Sequence, residues 1–259
     1  MDAILELEGI SKNFGGLRAV SDVSFAARDC EITSLIGPNG AGKTTVFNLV
    51  SGFLPTDTGI IRFRGDAIQT LPPFSIALRG IARTFQDPRV FPEMTVFENV
   101  MVGIRQRGER PLWAMLRGGQ VNAELHAARE RTEAILGTVG LIDRAREVAR
   151  DLSFGEQRFL SIARSLVGDP RLILMDEPTV GLDRTSFGKL LDLMNLLVER
   201  DRKALLVIEH NMDVVMSVSA NVVLMVQGTV VASGVPEEIR RNRSMVEAYL
   251  GTSHAARSL

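Results

Sequence analysis

The sequence predicts an α/β protein with a mixed, mostly parallel sheet, a small antiparallel β segment ahead of it, and a helical lobe inserted midway. Three observations carry that prediction. Residues 31–36 form an apolar strand that enters a glycine-rich loop and leaves it, over residues 46–51, with a helical apolar pattern, the order of a βα unit. Two more apolar strands, 172–175 and 204–208, bracket a helix with Leu190, Leu191, Met194, Leu197 and Val198 on one face, so the α/β pattern resumes late in the chain. Between the two parts, residues 87–167 read mostly as helix.

The remaining elements follow in chain order. Residues 4–10 alternate as a half-buried strand does, and they pair with a second β segment ending near residues 23–26 in a small antiparallel sheet. The inserted lobe holds an irregular stretch at 105–120 and a long charged helix at 121–137. A late hairpin, 222–226 and 229–232 joined by Gln227-Gly228, closes the sheet. Residues 236–250 read as terminal helices and 252–259 as a frayed tail. The chain thus divides into an α/β core of residues 1–86 and 168–259 and an inserted helical subdomain of residues 87–167. It carries no repeat period and no low-complexity tract, which excludes a solenoid or a disordered scaffold.

At 259 residues and 45% hydrophobic content the chain can bury a full core. Its 30 basic and 31 acidic residues leave a formal net charge of -1, which gives no overall field drawing it to nucleic acid or an anionic bilayer. Cys30, the single cysteine, has no intramolecular disulfide partner, and its position before an apolar strand predicts a buried, inert thiol suited to a reducing cytosol. The N-terminus has no basic segment followed by an apolar run, and no stretch of about 18 uninterrupted apolar residues occurs. The expectation is a protein that is neither secreted nor membrane-spanning.

Gly37-Pro38-Asn39-Gly40-Ala41-Gly42-Lys43-Thr44-Thr45 contains G-x-x-x-x-G-K-[ST] in the strand-then-helix setting that its mechanism needs. The glycines let successive backbone N–H groups turn inward around phosphate oxygens, and the helix N-terminus adds its dipole. Lys43 reaches for the β- and γ-phosphates, and the Thr44 hydroxyl suits magnesium. Asp176 and Glu177 follow an apolar strand. Alone, such a pair is equally a strand-end turn. Behind a phosphate loop, Asp176 can orient magnesium through its water shell and Glu177 can polarise an attacking water as general base. Leu152-Ser153-Phe154-Gly155-Glu156-Gln157 precedes an apolar helix and reads locally as a serine N-cap with Glu156 three residues on, a capping box.

These segments, together with His210, stand in the order and spacing of ABC ATPases, and the chain resembles that family from about residue 5 to residue 250. The resemblance implies a P-loop NTPase core in two lobes, ATP hydrolysis with ATP and Mg2+ bound, and a head-to-tail dimer. In that dimer two ATP molecules lie between one subunit's phosphate loop and the other's signature segment. The resemblance further implies that Ser153 and the Gly155 N–H, with Gln157, serve the γ-phosphate across the interface. It gives Phe14 to adenine stacking, Gln86 to sensing magnesium and γ-phosphate, Asp183 to the interface loop, and His210 to the γ-phosphate. Taken singly, these residues read as a core aromatic, a loop glutamine, a helix N-cap and a core or cap histidine. Two positions depart from the broad pattern: Phe154 stands where most members have glycine, and Phe14 where tyrosine is commoner.

The segments Gly80-Ile81-Ala82-Arg83-Thr84-Phe85-Gln86 and Ile208-Glu209-His210-Asn211-Met212-Asp213 resemble the branched-chain amino acid importer branch, although that branch often has asparagine where Asp183 stands. This implies a second ATPase subunit, transmembrane permeases and, indirectly, a solute-binding protein as partners, a peripheral place on the cytoplasmic membrane face, and no nucleic acid. Phe91, Met94, Val96 and Phe97 suit an apolar groove for the permeases, as do Leu112 and Trp113. A soluble ABC clamp on nucleic acid or ribosomes would bring a long coiled coil or two cassettes in one chain, and the sequence has neither. A P-loop kinase would leave the segment 152–157 and His210 unexplained.

Overall fold

A computed structural model describes residues 3–104 and 118–242, with 118–124 as backbone only. Strand β1 (Ala3–Phe14) pairs antiparallel with β2 (Leu17–Arg28) and with β4 (Thr58–Phe63), which in turn pairs with β5 (Asp66–Ala67), in the order β2-β1-β4-β5. The second sheet has β3 (Ile32–Ile36) between β8 (Ala204–Ile208) and β9 (Asn221–Val226). It extends through β7 (Leu172–Asp176) to β6 (Ile81–Arg83) on one side and to β10 (Thr229–Gly234) on the other. All its pairings are parallel except the β9–β10 hairpin, so the sheet is mixed, as the sequence predicts.

The apolar runs in β7 and β8 have a simple cause, since both faces of this sheet are covered. Leu172 and Leu174 of β7, with Leu206 and Ile208 of β8, face a core shared with Leu5, Ile10, Val23 and Phe47. Ile173, Met175, Leu205 and Val207 point the other way, into a core filled by Leu160, Leu190 and Met194. The period-2 alternation is present but hidden, because each face meets apolar neighbours.

The helices are α1 (Lys43–Val50), α2 (Pro73–Arg79), α3 (Val96–Met101), α4 (Gly118–Thr138), α5 (Phe154–Leu166), α6 (Arg184–Glu199), α7 (Met212–Val218) and α8 (Pro236–Arg241). Side chains start several of them: Thr95 and Ser153 each form a capping box with the glutamate three residues on, and Asp183 and Asn211 cap α6 and α7. Helices α3, α4 and α5 lie between β6 and β7 in the chain. None of the described helices is long and apolar enough to cross a membrane.

Several expectations are corrected. Val96 is fully buried and Phe97 packs against the second core, because the Thr95 cap starts α3 there and turns Val96 inward. Only Phe91 and Met94 of that group are exposed, and Leu112 and Trp113 lie outside the described residues. Cys30 is half-buried rather than buried, with its thiol on the Arg202 carbonyl at 3.6 Å. The late hairpin runs longer than expected, and α8 ends at Arg241, beyond which most of the expected terminal helix lies outside the described residues.

Candidate active site

Because β3, β7 and β8 are parallel, their C-terminal ends open on one edge of the sheet, the usual place for a ligand in such a fold. β3 delivers the glycine loop, β7 delivers Asp176 and Glu177, and β8 delivers Glu209 and His210. The loop needs its glycines: Gly42 has φ 97, and a Cβ there would stand 2.4 Å from the Ala19 carbonyl oxygen. Lys43 is buried, and its ammonium donates back across the loop to the carbonyls of Gly37 at 2.8 Å and Pro38 at 3.0 Å. Burial pulls the Lys43 ammonium below the ordinary lysine range, while the carboxylates of Glu177 and Asp176 oppose that fall. Helix α1 begins here without a side-chain cap, which leaves its first N–H groups to an anion.

A cleft of about 660 Å³ opens over this loop, lined by Phe14, Leu17, residues 39–45, Glu177 and His210. Phe14 is 46% exposed, with its ring presented at the cleft. Glu177 is held at φ 48, a left-handed conformation uncommon for a non-glycine residue, and its N–H donates to the Ile208 carbonyl at 3.0 Å. Its Oε1 lies 2.6 Å from His210 Nε2, and its Oε2 accepts from Gln86 Nε2 at 3.1 Å. A carboxylate only accepts, so the proton of the first contact belongs to the imidazole.

Asp176 is buried beside this group. Burial pushes its carboxyl above the ordinary range, Arg83 opposes that, and Glu177 adds to it. Asp176, the Thr44 hydroxyl and the Gln86 side-chain oxygen are oxygen donors of the kind that suits a hard divalent cation. No group of three or more His, Cys, Asp or Glu residues able to hold a metal occurs among the described residues.

The segment 153–157 is not among the residues lining the cleft. Ser153 donates to Glu156 Oε2 at 2.8 Å as part of its cap, Gly155 lies against Ser186 at the start of α6, and Gln157 donates to the Leu152 carbonyl at 3.1 Å. Asp183 caps α6, accepting from the N–H groups of Thr185 and Ser186 and from the Ser186 hydroxyl. One chain therefore gathers Phe14, the phosphate loop, Asp176, Glu177, His210 and Gln86, and leaves Ser153, Gly155 and Gln157 elsewhere.

A family profile described as "ABC transporter" matches residues 20–180. The chain belongs to the ABC transporter family. It is 41% identical over 249 residues to the high-affinity branched-chain amino acid transport ATP-binding protein LivG of Salmonella typhimurium, covering 96% of this chain and 98% of that protein. It is 40% identical, with the same coverage, to the corresponding protein BraF of Pseudomonas aeruginosa. Among solved structures it resembles the ADP conformation of an ATP-binding cassette of an ABC transporter, with TM-score 0.84 and 30% identity over 97% of this chain and all of that one. A nucleotide-free ATP-binding cassette gives TM-score 0.81 and 32% identity over 96% and 99%. As an ABC ATPase, the chain binds and hydrolyses ATP.

Three polar residues of this ABC ATPase site are not evident from the sequence. Arg83, half-exposed nowhere along its guanidinium, donates to Asn48 Oδ1 at 2.7 Å and Ser51 Oγ at 3.0 Å on α1 and pairs with Asp176 at 3.4 Å. Glu209 is buried and accepts from the hydroxyl of Thr179 at 2.6 Å and from the N–H of His210 at 3.1 Å, tying the His210 turn to the loop after Glu177. Arg158 is the third. The available signal was an isolated charge beside apolar strand or helix residues, which marks a buried pair without naming the partner.

Proposed function

We propose that this chain powers an importer of branched-chain or related amino acids as a peripheral subunit on the cytoplasmic membrane face, working as a head-to-tail pair of ATPase subunits under transmembrane permeases. The solute reaches those permeases through a separate binding protein, and no nucleic acid is involved. The cargo reading is supported by the names of LivG and BraF. The paired arrangement is carried by one observation, the separation of Ser153, Gly155 and Gln157 from the cleft their own chain forms.

In this reading Phe14 stacks on adenine, residues 37–45 wrap the phosphates, and Lys43 exchanges its loop carbonyls for β- and γ-oxygens. Thr44, Asp176 and Gln86 would hold magnesium, which would supply positive charge to offset the charge developing on the phosphates. Glu177 takes the proton of the attacking water. His210 orients Glu177 and contacts the γ-phosphate, while the partner chain supplies its Ser153 hydroxyl and Gly155 N–H beside its Asp183 loop. The helix dipole of α5 favours the same anion.

A groove of about 520 Å³ beside β6, lined by Phe85, Arg89, Phe91, Val102 and Arg164, receives the permease. Arg89 stands 4.2 Å from the Phe85 ring and Arg164 5.3 Å from that of Phe91, so the groove is apolar with cationic edges.

The test is complementation. Lys43→Ala removes the phosphate-loop cation and Ser153→Arg blocks the signature segment, so each protein alone lacks hydrolysis. Mixed pairs have one intact composite site, and an equimolar mixture recovers up to about a quarter of wild-type turnover if subunits exchange freely in a symmetric dimer. Two inactive proteins that stay inactive when mixed would overturn the head-to-tail arrangement.

A further inference from the structure

We infer that Arg158 is a positioning residue for hydrolysis, clamping the loop that carries Gln86 to the loop that follows Glu177 and thereby setting the Gln86–Glu177 contact. The inference rests on the roles proposed above for Gln86 and Glu177.

Arg158 sits in the second turn of α5 and is 2% exposed. Its Nη1 donates to the Phe85 carbonyl at 3.1 Å and to the Gln86 carbonyl, and its Nη2 donates to the Val180 carbonyl at 3.2 Å. Among the described residues no carboxylate forms an ion pair with it. A buried cation whose hydrogen bonds all go to neutral carbonyls is an expensive way to fill a core position, even with Asp87, Glu177 and Glu209 near enough to favour its charge, and an apolar side chain of similar volume would avoid the desolvation. What the guanidinium adds is a rigid planar fork that fixes two separate stretches of backbone at once.

Both stretches end on the same residue. Gln86, whose carbonyl Arg158 holds, reaches Glu177 Oε2 with its side chain at 3.1 Å. Val180, whose carbonyl Arg158 also holds, donates its N–H to the Glu177 carbonyl at 3.3 Å. A closed ring therefore runs from Arg158 through Gln86 to the Glu177 carboxylate, along the Glu177 backbone to Val180, and back to Arg158. Glu177 stands in this ring at φ 48, a conformation that persists only where its surroundings impose it.

The ring also accounts for Phe154. Its aromatic face lies 5.3 Å from the Arg158 guanidinium carbon, and a Cβ at Gly181 would stand 2.9 Å from its ring edge. The aromatic residue in the signature segment thus covers the clamp and rests on Gly181, next to Val180. Phe154 and Gly181 fit as a pair.

The test uses the full chain with magnesium and ATP, measuring kcat, KM, binding of a fluorescent ATP analogue and the thermal midpoint. Arg158→Lys retains the charge and stem but cannot span both loops. It should lower kcat about tenfold or more while leaving nucleotide affinity and folding close to wild type, since small misplacements of reacting groups cost rate rather than binding. Arg158→Met should behave alike; if it does not fold, the lysine variant carries the test. Gln86→Ala combined with Arg158→Lys should lose no more than the worse single variant, because both act on one contact. Losses that multiply, or an Arg158→Lys protein with wild-type kcat, would overturn the proposal and leave the Gln86 assignment standing. A fully active Gln86→Ala protein would overturn that assignment and the proposal with it.

Discussion

Both carboxylate oxygens of Glu177 are engaged in the free subunit, one 2.6 Å from His210 Nε2 and the other 3.1 Å from Gln86 Nε2. Each oxygen keeps a second lone pair, so the two neighbours fix the direction in which Glu177 can accept from a water. Glu177→Gln keeps the shape and removes the basicity, so it should bind ATP as wild type does. It should hydrolyse ATP about a hundredfold or more slowly. Single-turnover assays read the loss, and light scattering should show an ATP-stabilised dimer. Normal turnover by this variant would remove Glu177 from the role of base.

Lys43 presently serves as an internal strut between the Gly37 and Pro38 carbonyls. Lys43→Ala should lose ATP binding and also loosen the loop. Lys43→Met keeps the buried stem but has no ammonium, so its folding should be closer to wild type while nucleotide titration still shows the loss. Equal ATP affinity in Lys43→Met and wild type would show that the ammonium contributes nothing to phosphate binding.

Asp176 carries a pH signature. Burial raises its folded-state value above that of the unfolded chain. Its contribution to stability is therefore full below the ordinary carboxylate range and falls as pH rises through the raised folded value. In metal-free protein, Asp176→Asn should be more stable than wild type near pH ~7, with the gap closing toward pH ~4. Urea denaturation at several pH values measures this. A gap that does not change with pH would mean that Asp176 ionisation is not its source.

Ser153 caps α5, and in the proposed function it also donates a hydrogen bond to the phosphate held by the partner chain. Ser153→Ala should cost about 1 kcal/mol of stability, the usual value of a lost N-cap. Hydrolysis should fall further than that destabilisation explains, and the deficit should persist well below the thermal midpoint. Activity that returns fully on cooling would leave Ser153 with the cap alone.

The phosphate loop was legible because its chemistry is written in consecutive residues, and β7 and β8 were legible because strands covered on both faces read as unbroken apolar runs. The buried polar partners were not. Arg83 and Asp176 are 93 positions apart, Arg158 and Gln86 72, and Thr179 and Glu209 30, so a single charge in the sequence gives no direction in which to look. Val96 was misread for the opposite reason. Its apolar neighbours Phe91 and Met94 face solvent, but the Thr95 cap begins a helix between them and Val96, and orientation changes within two residues. Ser153 shows a third case, in which the capping box read from the sequence is present and still leaves the same hydroxyl available for a second use once a stronger acceptor arrives.

The distance kept between Ser153 and the cleft of its own chain has a consequence for dosage. With head-to-tail pairing, a dilute subunit leaves the nucleotide pool untouched, and its turnover rises with the square of its concentration. Anchoring two copies side by side on one membrane complex abolishes that dependence. In the proposed arrangement, subunits made in excess of their anchors consume fuel only as far as their concentration lets them pair.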